Sequence, residues 1–266
     1  MGLMRSVESR EAILADYYQG DLSVVEVATK HGIPNGSLYY YVNTYGKGVD
    51  RGGREYDCND GLFSEETERG KYRLGFYAAD GHVARGVEVQ LQLAKDDRCV
   101  LEAAQAALET ERPISDSWNR RYPKSSLYVT SPELAAQLLL FGPQTVRECS
   151  PALVNHLIRG LVDGDGAVSC TQKGGSPRIR LLAEEDVLVA VAETVSTCAD
   201  VTLGSIRKVK GIYEWQLGGT ANVERIRAWL YRDATIFLSR KREAFAGLGT
   251  TKIRRRGRVG KYWKQH

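Results

Sequence analysis

Ile158-Arg159-Gly160-Leu161-Val162-Asp163-Gly164-Asp165-Gly166 repeats, in altered form, an earlier stretch, Arg73-Leu74-Gly75-Phe76-Tyr77-Ala78-Ala79-Asp80-Gly81. Each is an apolar segment with an inner glycine, then a small residue, then Asp-Gly. The first follows a charged run (Glu65, Glu66, Glu68, Arg69, Lys71), which reads as a helix entering a core. Gly81 and Gly166 read as C-terminal stop signals. Gly75 and Ala79 are four apart, as are Gly160 and Gly164, so each pair shares one helical face. Small-xxx-small faces let two backbones approach closely, a pattern best attested in membranes. Glycine inside a soluble helix costs about 1 kcal/mol against alanine, so its presence asks for a reason. Packing of the two copies on each other is the simplest one.

Asp80 and Asp165 fall at helix C-termini, where partial negative charge disfavours an anion. Parallel packing of the helices brings the two carboxylates together, and they repel. A hard divalent cation held by carboxylates, carbonyls and water offsets both effects. A metal between paired carboxylates, facing a polyanion, suits phosphodiester hydrolysis. A lone apolar helix ending in Asp-Gly is more often a structural cap. Two copies about 85 residues apart, each followed by a similar pattern, point to two compact repeats. Asp163-Gly164-Asp165-Gly166 also looks like part of a calcium loop, but Gly174 stands where an EF-hand needs its closing Glu.

The two stretches resemble the LAGLIDADG motif of homing endonucleases, and the resemblance covers most of residues 63–247. The second copy is the closer match; in the first, Arg73 and Leu74 open the motif and Ala78 replaces its first Asp. The resemblance implies a monomeric, pseudo-symmetric nuclease acting on double-stranded DNA. It implies Asp80 and Asp165 as catalytic metal ligands, the main-chain carbonyls of Ala79 and Gly164 in the shell, and Mg²⁺ or another divalent cation as cofactor. The family places a basic residue near each site; here the aligned strand ends hold Thr130 and Leu217, and Lys124 and Lys210 are the nearby candidates.

Composition agrees with a soluble globular protein. The chain has 266 residues, 42% hydrophobic and 26% charged, with net charge +4. No apolar run has membrane-spanning length and no signal-peptide core opens the chain, so a cytoplasmic protein without membrane association is expected. The five cysteines are scattered without a Cys-x-x-Cys pair, which argues against a zinc finger and for reduced thiols. The histidines form neither an HNH nor a two-His metal pattern. Gly211-Ile212-Tyr213 resembles the start of a GIY-YIG nuclease, but no partner motif follows.

Residues 1–45 read as a small helical domain: Ser9 to Tyr18, then a helix opened by a capping box (Ser23, Glu26) and ended at His31-Gly32, then one starting near Pro34-Asn35. Ala28-Thr29-Lys30-His31-Gly32-Ile33 resembles the turn of a helix-turn-helix of resolvase or repressor type. The third helix would then enter a major groove, with Asn35, Ser37, Tyr39 and Tyr40 as exposed candidates. Residues 46–62 have the composition of a Gly-rich basic linker, and the tail, 251–266, is basic without an acid.

Between lie two halves, 63–148 and 149–250, each read as αββαββα: an α+β fold with two antiparallel saddle-shaped sheets around a central helix pair. In the first half Arg85 to Leu93 alternates, with Val87, Val89, Leu91 and Leu93 facing in and Glu88, Gln90 and Gln92 facing out. In the second half, Ser150-Pro151 is expected to start the motif helix. There Arg178, Arg180, Arg207, Lys208 and Lys210 are the polar strand residues. Gln pairs with adenine edges and Arg with guanine edges, so these are candidate base readers; each alone could be a solvated strand face. Two rivals share the scaffold: a non-catalytic transcription regulator, which commonly lacks the acidic pair, and an RNA-splicing maturase.

Overall fold

A computed structural model describes residues 7–19, 22, 24–34, 37–38, 41–42, 56–119, 122–169 and 176–246. They belong to two compact units, residues 1–141 and 142–266. The candidate residues Asn35, Tyr39 and Tyr40, most of the expected linker and the basic tail lie outside the described residues.

In the N-terminal module, α1 (Val7–Gln19) and α2 (Val24–Lys30) precede short helical stretches at 37–38 and 41–42. The chain leaves α2 through a Schellman turn. Gly32 adopts φ 58°, its N–H donates to Thr29 O, and Ile33 N–H donates to Ala28 O at 2.9 Å. Ile13, Val27, Ala28 and Leu38 are buried together, and Ile33 and Tyr41 pack against them. Tyr41 therefore serves this module's own core. Ser37 is half-buried.

The first half runs α3 (Glu68–Asp80), β1 (Gly81–Ala84), β2 (Glu88–Ala94), α4 (Arg98–Ala107), β3 (Ser115–Asn119), β4 (Tyr122–Thr130) and α5 (Pro132–Leu139). Its four strands are antiparallel in the order β1-β2-β4-β3. The expected alternation is real: Val89, Leu91 and Leu93 are buried, while Glu88, Gln90 and Gln92 alternate with them as half-buried or exposed positions. The strand begins at Glu88 rather than Arg85. Arg85 and Gly86 have positive φ (53° and 74°) and turn the chain between β1 and β2. Ser131 caps α5, its Oγ accepting Leu134 N–H at 3.1 Å and donating to Asp60 Oδ1 at 2.5 Å. Asn59 N–H donates to Leu108 O. Residues 59–62, expected as the end of a linker, are thus tied into this half.

The second half repeats the order: α7 (Val154–Asp165), β5 (Gly166–Ser169), β6 (Arg178–Ala183), α8 (Glu185–Ala199), β7 (Ser205–Val209), β8 (Ile212–Gly218) and α9 (Thr220–Leu230). A short helix, α6 (Pro143–Arg147), precedes it and α10 (Ser239–Ala246) follows. The sheet is again fully antiparallel, in the matching order β5-β6-β8-β7. Its inner face buries Ile179, Leu181, Trp215 and Leu217. The motif helix starts at Val154, after a turn over Ser150–Leu153, rather than at Ser150-Pro151.

Candidate active site and nucleic-acid interface

Each motif helix ends in its Asp and passes directly into the first strand of its own sheet. The glycine after the Asp ends each helix, as expected, and makes this switch possible. Gly81 (φ −81°, ψ 161°) and Gly166 (φ −82°, ψ 158°) are extended, not left-handed. Their N–H groups donate to Tyr77 O and Val162 O. A Cβ on Gly81 would press into the Tyr77 carbonyl, and one on Gly166 into the Val162 carbonyl. The glycines are thus required by close backbone approach, in the same way in both halves.

Asp80 is half-buried and Asp165 is exposed. Each follows a residue, Ala79 or Gly164, in the last helical turn, where carbonyls lack intrahelical partners. Among the described residues no three His, Cys, Asp or Glu side chains cluster as a metal cage. One carboxylate plus main-chain carbonyls fits a hard cation that fills its shell with water and phosphate oxygens, as Mg²⁺ does, and does not fit a closed zinc site.

The second motif helix is buried on every side up to Asp163. Asn155, Arg159 and Asp163, spaced four apart, form a polar stripe that holds the chain following α9. Asn155 Nδ2 donates to Trp229 O and Arg232 O, both at 3.3 Å. Arg159, fully buried, donates to Ile236 O at 2.9 Å and Leu230 O at 2.7 Å, and contacts His156 Nδ1 at 2.7 Å. Asp163 Oδ2 accepts Leu238 N–H at 2.8 Å. The buried Lys241 donates from Nζ to Val162 O at 3.1 Å and also to Gly166 O. A cation therefore neutralises the negative end of the helix that carries Asp165.

The first half solves the same problem differently. Gly70, Leu74 and Ala78 stand where the second has Asn155, Arg159 and Asp163. The turn Leu62–Ser64 covers this helix, so closely that a Cβ on Gly70 would lie 2.7 Å from Leu62 O. Thr67 caps the helix by accepting Gly70 N–H at 3.1 Å. Ala78 stands in place of the first motif Asp. Arg73 is only 3% exposed, and its Nε and one Nη have no hydrogen-bond partner. Burial holds its pKa below the usual arginine range.

Neither sequence-predicted basic residue stands beside an acidic end. Lys124 pairs with Ala94, three positions along β4 from Leu127, which lies level with Gly81 across β2. That is roughly 10 Å away along the strand. Its Nζ donates to Gln92 Oε1 at 3.0 Å. Lys210 (φ 50°) and Gly211 (φ 94°) form the two-residue turn of the β7–β8 hairpin, at its tip. Lys241 is the residue the sequence reading missed. It lies more than seventy positions from its carbonyls, and no local pattern marks it.

The polar faces assemble largely as expected. On the first sheet, register puts Gln90 between His82 and Tyr128, with Glu88, Gln92 and Lys124 on the same face. On the second, Arg178, Arg180 and Arg207 share the outer face with Glu214 and Gln216. Lys208 does not join them. It pairs with Tyr213 on the opposite face, its Nζ 5.4 Å from that ring centre. Successive strand residues point to opposite faces, so Arg207 and Lys208 could not both belong.

No protein-family model matches the chain, and no curated protein matches it. Similar solved structures include full-length DUF199/WhiA from Thermatoga maritima, at 19% identity and TM-score 0.48 over 71% of this chain. The matched region spans 61% of that longer protein. The LAGLIDADG meganuclease I-AabMI bound to uncleaved DNA is similar at 12% identity and TM-score 0.44, over 67% of this chain and 88% of that one. The meganuclease I-SmaMI bound to uncleaveable DNA is similar at 12% identity and TM-score 0.48, over 67% and 87%. No helix among the described residues is long and apolar enough to cross a membrane.

Proposed function

We propose that the protein is a site-specific homing endonuclease that makes a metal-dependent double-strand break in DNA, acting as a monomer. The observation that carries this reading is the duplicated acidic end. Both halves finish a motif helix in Asp-Gly and feed it into an antiparallel sheet with a polar outer face. Carboxylates beside a polyanion repel phosphate unless a cation lies between them, which suits a metal-dependent reaction. In this reading Asp80 and Asp165 serve one strand each.

Asp80 and Asp165, with the carbonyls of Ala79 and Gly164, would hold Mg²⁺ or a similar cation. Such a cation supplies Lewis acidity at the phosphodiester and lowers the pKa of a bound water. The chain does the rest. Lys241 and Gly166 fix the helix end that carries Asp165. Gln90, Gln92, Arg178, Arg180 and Arg207 select and orient the duplex. Ser37, in the helical stretch at 37–38, adds contacts in a major groove, and the basic tail adds affinity for phosphate.

The test is incubation of the full chain and Mg²⁺ with duplex DNA from its own genomic neighbourhood, including an allele that lacks the gene. A double-strand break at one site is the expected result. Tight, salt-sensitive binding with no cleavage under any divalent metal supports the regulator reading instead.

A further inference from the structure

Glu214 is an acid in the middle of an arginine-bearing sheet face. It stands on β8, 6% exposed, and shares the outer face with Arg178, Arg180 and Arg207. Its Oε1 accepts from both Nε and Nη2 of Arg207, at 3.1 and 2.8 Å. Its Oε2 lies 3.7 Å from Nη1 of Arg180. One carboxylate thus hydrogen-bonds Arg207 through one oxygen and stands in ion-pair range of Arg180, on the other neighbouring strand, through the other.

A carboxylate on a face that meets DNA repels phosphate, and burying it among β-strands adds a desolvation cost. Neither is offset by solubility, since the side chain scarcely reaches solvent. What the arrangement achieves is geometric. An arginine side chain on an open strand has several rotatable bonds, and reading guanine through O6 and N7 needs two parallel N–H groups in one plane. Arg207 spends its Nε and one Nη2 hydrogen on Glu214, which leaves the Nη1–Nη2 edge for a ligand. Both arginines remain accessible, with side chains 57% and 42% exposed. The first sheet has no counterpart among the described residues: its outer face carries Gln90 and Gln92 in place of paired arginines.

Building on the DNA-binding reading above, we propose that Glu214 is a positioning residue for specificity. It pre-orients Arg180 and Arg207 as a fixed pair that reads two guanines in the half-site under the second sheet. It contributes to selectivity while lowering non-specific affinity.

The experiment is selection of a randomised duplex library by the full chain, by Glu214→Gln and Glu214→Asp, and by Arg207→Ala. Thermal melting of each variant accompanies the selection. Wild type is expected to enrich guanine at two positions of one half-site. Both Glu214 variants are expected to lose about tenfold in preference at those two positions alone. Their binding to random duplex should be equal or tighter. Arg207→Ala should flatten one of the same two positions. Asp keeps the charge but is one methylene short, so the paired variants separate geometry from charge. Unchanged enrichment in both Glu214 variants, or an equal loss at every position, overturns the proposal while leaving the endonuclease reading intact. A wild-type chain that enriches no duplex at all overturns that reading and this proposal together.

Discussion

Asp163 accepts the backbone N–H of Leu238 at 2.8 Å, and both groups are buried. Two residues later in the chain, Asp165 is exposed. The two acids of the second motif therefore have opposite uses: one closes the fold, the other faces outward. Asp163→Ala leaves a buried N–H unpaired and should lower stability by about 1–3 kcal/mol. Asp165→Asn should lower stability by less than Asp163→Ala does, because its side chain is exposed. Chemical denaturation of both variants checks this. Equal losses would mean that Asp165 is also structural.

Arg73 offers the reverse case. Its guanidinium is buried beside Tyr72 with two nitrogens unpartnered, at a position where the resembled motif has an apolar residue. Arg73→Leu removes that penalty at similar bulk. A gain of about 1–3 kcal/mol is expected, read as a higher denaturation midpoint. A loss would show that the charge has a partner under solution conditions.

Gly81 and Gly166 are extended, so backbone strain is not the issue; space is. Gly81→Ala and Gly166→Ala each force a methyl against a carbonyl of the preceding helical turn. Each should destabilise its half by about 1–3 kcal/mol, the scale of overpacking in a closed core. Gly86→Ala, in open space but with φ 74°, tests the contrast: its loss should be that of a left-handed residue alone, about 1 kcal/mol.

Several carboxylates are held below their ordinary pKa by cations or hydrogen bonds. Hydrogen bonds from Lys30 and His31 lower Asp16, one from Arg69 lowers Glu65, and one from Ser125 with the Arg98 charge lowers Asp116. A depressed folded pKa contributes stability that is fully present above the unfolded value. It is lost as pH falls through the folded one. Melting temperature should therefore hold flat near neutrality and fall as pH drops below the ordinary carboxylate values, 3.8 for Asp and 4.5 for Glu. A melting temperature that rises on acidification through that range would contradict these assignments.

The sheets were legible because β2 buries one face: Val89, Leu91 and Leu93 alternate with Glu88, Gln90 and Gln92, and only a strand does that. The strand β1 was not, since Gly81-His82-Val83-Ala84 is too short to alternate and Arg85-Gly86 is no familiar hairpin signal. The acidic ends could be read from the repeat itself. Their support could not. The stripe Asn155, Arg159 and Asp163 grips backbone groups 71 to 77 residues away, and Lys241 reaches back 75 and 79. Local periodicity carries no trace of such partners. Lys208 looks like a member of the polar reading face, but the two-residue period of the strand puts it opposite Arg207, beside Tyr213.

The proposed double-strand break needs one carboxylate from each half. Once a target site is in hand, Asp80→Asn and Asp165→Asn should be tested on supercoiled plasmid carrying it, with Mg²⁺, at protein concentrations where wild type linearises all of it. Both variants should fold, bind the site and leave no linear product. Linear product from either variant at the wild-type rate would contradict it.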